Sequence, residues 1–178
     1  TRHEFDLVIF QFPLVPAIGS KAAFEQSLSI NTLNRALLRT FLIHSFDEFL
    51  DPSGAQLAYI SSKDVKPYID WNLESSLAQG LDISYLGKQK FDVAAFPGYR
   101  IRNVDRDKHV RQTAAFTHIW SSQPWPCEES GLIKPQPVAG ECCILCGAGP
   151  FATAQERHGH LQSRRHKRLV KYEQEWQA

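Results

Sequence analysis

Four residues near the C-terminus have the types and spacing of a metal site: Cys143, Cys146, His160 and His166. Zinc takes four tetrahedral thiolate and imidazole ligands, and a Cys-x-x-Cys turn holds two sulfurs at the separation this requires. Cys143-Ile-Leu-Cys146 supplies that half. His160 and His166 supply the other, with thirteen residues between Cys146 and the first histidine and five between the two histidines. Thr153-Ala-Gln-Glu156 is a capping-box pattern, which starts a helix just before the histidines. Residues six apart on a straight helix differ by about 120° in direction, so this helix must kink or loosen around Gln162 to Arg164. Cys142 in place of Cys143 would widen the knuckle, and Cys127 and Cys142 have no assigned role. Three cysteines within five residues make a poor disulfide framework, which points to a reducing intracellular compartment.

The net charge is +1, but its distribution is uneven. Arg157, Arg164, Arg165, Lys167, Arg168 and Lys171 follow one another with no acidic residue among them. A mildly acidic body thus carries a basic tail, and a polyanion such as RNA is the partner expected there.

Residues 143–168 resemble the matrin-type zinc finger, a family found in spliceosomal, double-stranded-RNA-binding and other ribonucleoprotein proteins. The likeness rests on the wide histidine spacing, on Phe151 eight intervening residues before His160, and on the basic stretch His160-Leu-Gln-Ser-Arg-Arg-His166-Lys-Arg. One extra residue separates Cys146 from Phe151, in Gly147-Ala-Gly-Pro150, where an insertion costs least. The resemblance implies one Zn2+ on Cys143, Cys146, His160 and His166. Together with the charge it assigns RNA contacts to Arg157, Arg164, Arg165, Lys167, Arg168 and Lys171. A rival motif, Gly147-Ala-Gly149-Pro-Phe-Ala152, matches a dinucleotide fingerprint but lacks the second strand and acidic residue that fold needs.

The elements that carry these residues follow from periodicity and turn chemistry. Leu7 to Phe10 reads as a buried strand closed by Pro13 and Pro16. Asn31 caps the strongest helix, in which Leu33, Leu37, Leu38, Phe41, Leu42, Phe46, Phe49 and Leu50 make one apolar face. Leu57 to Ile60 is a strand. A second helix starts at Pro67, buries Ile69, Leu73 and Leu77, and ends at Gly80. Phe91–Phe96 and Tyr99–Val104 form a hairpin, and Val110 to Trp120 fits helix or strand. The expected architecture is an α+β docking domain (1–120), a Pro/Gly-rich linker (121–141) and a Cys2His2 zinc finger with a basic terminal helix (142–178). No apolar run approaches the length that crosses a bilayer. A chain that starts at Thr1 and contains no Met reads as a processed or truncated product.

No nucleophile elbow, phosphate loop or His-Glu-x-x-His pattern occurs. Asp70 and Glu74, one helical turn apart, read as solvated surface, and His44, His109 and His118 are isolated. Leu73 to Gly87 resembles a piece of a ribonuclease III domain. The acidic helix of that family has no match, since Leu33 to Leu42 holds no carboxylate, so the likeness implies a degenerate, noncatalytic domain. Proteins combining such a domain with this finger resemble components of kinetoplastid mitochondrial ribonucleoproteins.

The expectation is a nonenzymatic RNA-associated zinc-finger protein, a structural subunit of a large ribonucleoprotein such as a mitochondrial ribosome. Its partners are structured RNA and protein subunits, with no membrane and no small-molecule substrate; a nuclear location is the alternative to the mitochondrion. One competing reading is a protein–protein adaptor whose finger is purely structural and whose stripe of Leu169, Tyr172 and Trp176 docks a partner. The other is a degenerate ribonuclease III-like subunit of an RNA-processing complex.

Overall fold

Leu7-Val-Ile-Phe-Gln11 is the near-continuous apolar run of a parallel-sheet strand, and it forms β1 (Leu7–Gln11). The computed structural model describes residues 2–16, 28–101, 113–124, 131–135 and 140–177. A crossover helix, α1 (Ile30–His44), leads from β1 to β2 (Leu57–Lys63), which pairs parallel to it in the register Leu7↔Leu57 through Gln11↔Ser61. β3 (Ser84–Lys90) and β4 (Ala115–Ser121) complete a sheet of order β1-β2-β4-β3. β4 is antiparallel to both its neighbours, so β3 runs in the same direction as β1 and β2. Two further helices, α2 (Ala154–Gln162) and α3 (Arg164–Gln177), close the chain, which is a mixed α+β protein.

The core lies where α1 and the segment after β2 cover one face of the sheet. Leu38 and Leu42 meet Ala58, Ile60, Trp71, Leu73, Leu77 and Trp120. The apolar face of α1 is therefore as expected, but its start is not. Ser29 is the cap, its hydroxyl accepting the Thr32 N–H at 3.1 Å, while Asn31 lies inside the helix and is buried. Beyond His44 the helix widens into a π-helical turn over Ser45–Phe49, closed by the Leu50 N–H donating to the Ser45 carbonyl at 2.9 Å.

Two expectations are corrected. The second helix is a 3-10 turn, Tyr68–Trp71, ended by Asn72 in the left-handed region (φ 52°, ψ 47°). The N–H groups of Ser75, Ser76 and Leu77 then converge on the Asn72 carbonyl, so Leu73 and Leu77 reach the core through turns, while Ile69 stays 42% exposed. The hairpin after Phe91 is replaced by a 3-10 turn, Val93–Ala95, because the Asp92 carboxylate accepts the Ala94 N–H at 2.9 Å and offers the backbone a turn in place of a ladder; residues 102–104 lie outside the described residues. Part of the expected linker is also tied down. The Lys88 N–H donates to Ile133 at 2.9 Å and the Ile133 N–H returns to Lys88 at 2.8 Å. Gly87 permits this approach, since a Cβ there would stand 2.8 Å from the Ile133 carbonyl oxygen. Ser121 belongs to β4; Pro126, Cys127 and Pro137 lie outside the described residues, as do Asp105, Asp107 and His109.

Among the described residues no strand pairs with the outer edge of β1. A groove of about 450 Å³ runs between that edge and α1, lined by Phe5, Leu7, Ile9, Leu37, Phe41 and Phe49. No described helix is long and apolar enough to cross a membrane.

His118, on β4, is buried against the core, and its Nδ1 is 2.9 Å from the Tyr85 hydroxyl. Burial, reinforced by the Lys88 charge, lowers its pKa to about 3. The unfolded chain binds the proton at about 6.5 and the folded chain refuses it, so this residue's contribution to stability falls as pH drops below that value. The expected loss is about 1.4 kcal/mol per pH unit between pH 6 and 4. His118→Gln, which keeps a partner for Tyr85 but does not titrate, is expected to flatten the acid limb of a denaturation-midpoint profile. Parallel profiles for the two proteins would overturn the assignment.

Candidate metal centre and basic surface

The hairpin that carries the two cysteines is built by backbone bonds around Cys143. Its N–H donates to Ala148 at 2.8 Å, and its carbonyl accepts the N–H groups of Cys146 (3.2 Å) and Gly147 (2.9 Å). This turn aims both sulfurs the same way. Thr153 then caps α2, accepting the Glu156 N–H at 3.1 Å, while the Glu156 carboxylate accepts the Ala152 N–H at 2.9 Å. The capping box thus starts the helix that carries His160.

Two helices, not one straight one, deliver the two histidines. Ser163 is extended (φ −65°, ψ 149°), ending α2. Its hydroxyl accepts the His166 N–H at 3.1 Å and so caps α3. The break swings His166 onto the side that His160 faces, and their ring centroids are 4.9 Å apart. One ligand atom from each of Cys143, Cys146, His160 and His166 falls within 4.8 Å of the others.

The separations suit a tetrahedral ion. With Zn–S near 2.3 Å and Zn–N near 2.0–2.1 Å, sulfur and nitrogen ligands sit about 3.5 Å apart. Nδ1 of His166 lies 3.5 Å from Cys143 Sγ and 3.4 Å from Cys146 Sγ. Nε2 of His160 is buried without a hydrogen-bond partner, an orphan that an ion would satisfy. Burial, then the neighbouring Cys143, pushes the Cys146 thiol up to about 11, against the opposing Arg165 charge. A cation is what would hold both sulfurs as thiolates. The cluster is thus a Cys2His2 set able to bind a metal ion. Cys142 and His158 are not part of it.

Phe151 packs its ring 5.2 Å from that of His160, as part of the small core around the ligands. The whole segment leans on the body. Leu169 is fully buried, the Thr32 hydroxyl donates to Glu175 at 2.6 Å, Arg35 pairs with Glu173, and Asn72 donates to the Leu145 carbonyl. The stripe expected to dock a foreign protein is therefore partly spent inside the chain; the Trp176 side chain lies outside what is described.

The basic residues are less alike than their sequence suggests. Arg157 pairs with Glu141 at 2.7 Å, Arg168 with Asp70 at 3.1 Å and Lys171 with Glu175 at 3.5 Å. Arg165 donates to the Cys146 carbonyl at 3.3 Å, steadying the metal turn. Arg164 and Lys167 are exposed and have no ion pair among the described residues. The carboxylates of Asp70 and Glu74 do not converge on a metal, because Arg168 takes the first and Lys88, at 2.5 Å, the second.

A family model described as BMT5-like, rRNA (uridine-N3-)-methyltransferase BTM5-like, matches residues 1–103. Uncharacterized protein At4g26485 of Arabidopsis thaliana is 31% identical over 98 residues, which cover 54% of this chain and 43% of the relative. The chain therefore spans less than half the length of that relative. No solved structure matches.

The family match corrects the matrin-type and ribonuclease III resemblances, and with them the nonenzymatic ribosomal subunit, the adaptor and the ribonuclease III-like subunit. The matrin likeness rested on residues outside the matched span. The ribonuclease III likeness rested on Leu73 to Gly87, which folds as turns and the start of β3 rather than a helical domain. The nonenzymatic reading rested on missing nucleophile and metal-hydrolase motifs. Group transfer between two bound molecules needs orientation above all, and no such motif need mark it.

Proposed function

The chain belongs to the BMT5-like family, rRNA (uridine-N3-)-methyltransferase BTM5-like, and from that premise we propose that it serves rRNA methylation as an RNA-engaging, zinc-bearing part of a methyltransferase. The match over residues 1–103 is the observation that carries this reading. The ligand spacings support Zn2+ on Cys143, Cys146, His160 and His166, where the ion fixes the hairpin and α2 rather than entering chemistry, since all four positions are filled by protein. Arg164 and Lys167 are the phosphate contacts, and the paired Arg157, Arg168 and Lys171 and the turn-bound Arg165 contribute less.

Methyl transfer in such a family calls for S-adenosylmethionine, and the described residues do not fit it. Nucleoside cofactors on α/β sheets lie at the carboxyl ends of strands, on a glycine-rich turn with an acidic residue after the next strand. β1 runs instead into Phe12-Pro13-Leu14, and among the described residues no glycine stands between β1 and α1. Gly149, of the one Gly-x-Gly run, is already used: a Cβ there would stand 2.8 Å from Cys142 Sγ. We therefore assign this chain's residues to RNA and fold. The donor belongs to structure added along the open β1 edge, where apolar Phe5, Ile9 and Phe49 are 40–50% exposed.

Removing the protein from cells is expected to lower N3-methyluridine in rRNA, read by mass spectrometry of rRNA nucleosides. Restoration with Arg164→Ala/Lys167→Ala should be partial, with zinc content unchanged and the salt slope of RNA binding reduced by somewhat under one unit per contact. Unchanged N3-methyluridine after complete removal, with no rRNA crosslinked to the chain, sinks the reading.

A further inference from the structure

At the carboxyl ends of β1 and β3, four rings stand in one group, with Phe91 buried, Phe12 and Tyr99 half-buried and Phe96 exposed. Phe12 follows β1, and its ring meets Phe91 edge-on at 5.0 Å. Phe91, just after β3, is nearly buried and lies parallel to Phe96, with centroids 5.4 Å apart and planes inclined by 6°. Tyr99 closes the group, 6.3 Å from both Phe91 and Phe96. Phe96 is 46% exposed, so one of its faces is covered by Phe91 while much of the ring remains open to solvent.

The backbone takes an unusual course to build this group. Phe12 has φ 50°, in the left-handed region that a bulky residue rarely enters. Its N–H donates to the Ser61 carbonyl at 2.9 Å, which holds the turn in place. Strain of this kind persists where the surroundings over-determine it, and it concentrates at binding and catalytic positions. A core needing only apolar volume would be served as well by an aliphatic residue in an ordinary conformation. The location points the same way, since ligands of open α/β sheets bind beyond the carboxyl ends of the strands. Lys90 and Arg100, both exposed, flank the rings in sequence, next to Phe91 and Tyr99.

From these observations we propose that Phe96, backed by Phe91, Tyr99 and Phe12, is a stacking platform for one unpaired RNA base. This rests on the rRNA reading above and adds the form in which RNA is received. Single-stranded or bulged nucleotides present an open π face that aromatic side chains take up, whereas a paired base inside an A-form helix does not. Phe96 supplies that face, and Lys90 and Arg100 supply charge for the adjoining phosphates. The platform lies beyond the carboxyl end of β3, outside the Cys2His2 segment.

The test uses the full chain, zinc-loaded, with hexauridylate and an RNA duplex as probes, read by fluorescence anisotropy. Phe96→Ala is expected to weaken hexauridylate binding about tenfold, with duplex binding and the salt slope unchanged, because stacking is lost and no phosphate contact is. Phe96→Trp should restore or exceed wild-type affinity. Phe96 is half exposed, so its replacement tests binding without emptying the core; amide exchange of β4 checks that the fold persists. If wild-type and Phe96→Ala proteins bind hexauridylate equally, while the wild type still binds rRNA and N3-methyluridine still depends on the protein, the platform is wrong and the family reading stands. If the wild type binds neither probe and N3-methyluridine is unaffected by its removal, both are wrong.

Discussion

Cys146→Ser is expected to leave the purified, reduced protein without zinc and to unfold residues 141–166 while the sheet persists. Hydrophobic burial cannot hold this segment alone. Among described residues beyond 140, Cys146 and Leu169 are the buried apolar side chains. The rest of the hairpin and α2 is half-buried or exposed, so the ligands supply most of what orders them. Structural zinc contributes on the order of 10 kcal/mol or more at neutral pH, far beyond what a few partly buried side chains offer. His160→Ala should act alike, and Cys142→Ser, outside the cluster, should keep the metal. Metal analysis gives the first readout, and hydrogen exchange separates the segment from β2 and β4. Full zinc content in Cys146→Ser, or undiminished amide protection across 141–166, would show that the ion is not the staple.

Glu173→Ala is expected to destabilise the whole fold by about 3 kcal/mol. Arg35 on α1 is 1% exposed, and its guanidinium pairs with the Glu173 carboxylate of α3 while also donating to Ser76 at 3.1 Å. Removing the carboxylate leaves a buried cation without that counter-charge, which costs much more than the pair itself contributes. Glu173 is 20% exposed, so water offsets part of the loss and the lower end of the usual range applies. For a chain of this length such a change lowers the melting temperature by roughly 6–12 °C. Replacing both residues, as Arg35→Leu/Glu173→Leu, should recover much of the stability, because the buried cation goes together with its counter-charge. A melting temperature for Glu173→Ala within 1 °C of wild type would mean that α3 is not anchored through this pair.

These two predictions also separate what is local from what is not. The metal cluster was legible because each of its parts is a short-range pattern. A two-residue gap sets the sulfurs, a capping box sets the helix, and the helical repeat demands a break between histidines six apart. The break at Ser163 is that demand met, with a serine able to cap the second helix. The apolar face of α1 and the β1 and β2 runs were legible for the same reason. The second helix was not. Its apolar residues at four-residue spacing reach the core through turns around Asn72, whose side chain is engaged by Leu145, seventy-three residues away. β3 was missed because Ser84-Tyr-Leu-Gly-Lys-Gln-Lys90 is a polar edge strand, held by its partner β4 and by Ile133 rather than by its own pattern.

By itself, then, the sequence determined the four residues of the Cys2His2 cluster, the kink between the histidines, the main helix and two of the strands, since spacing along the chain is all these require. Tertiary structure decided the partners of the charges and rings. The basic run reads as six equal cations, yet folding brings Glu141 to Arg157 and Asp70, ninety-eight residues away in the chain, to Arg168, while Lys171 pairs locally with Glu175 on the same helix. Likewise Phe12, Phe91, Phe96 and Tyr99 are scattered over almost ninety positions and come into contact only when β1 and β3 end at the same rim of the sheet. Pairing of distant groups depends on strand order and register, and one chain's periodicity carries no record of either.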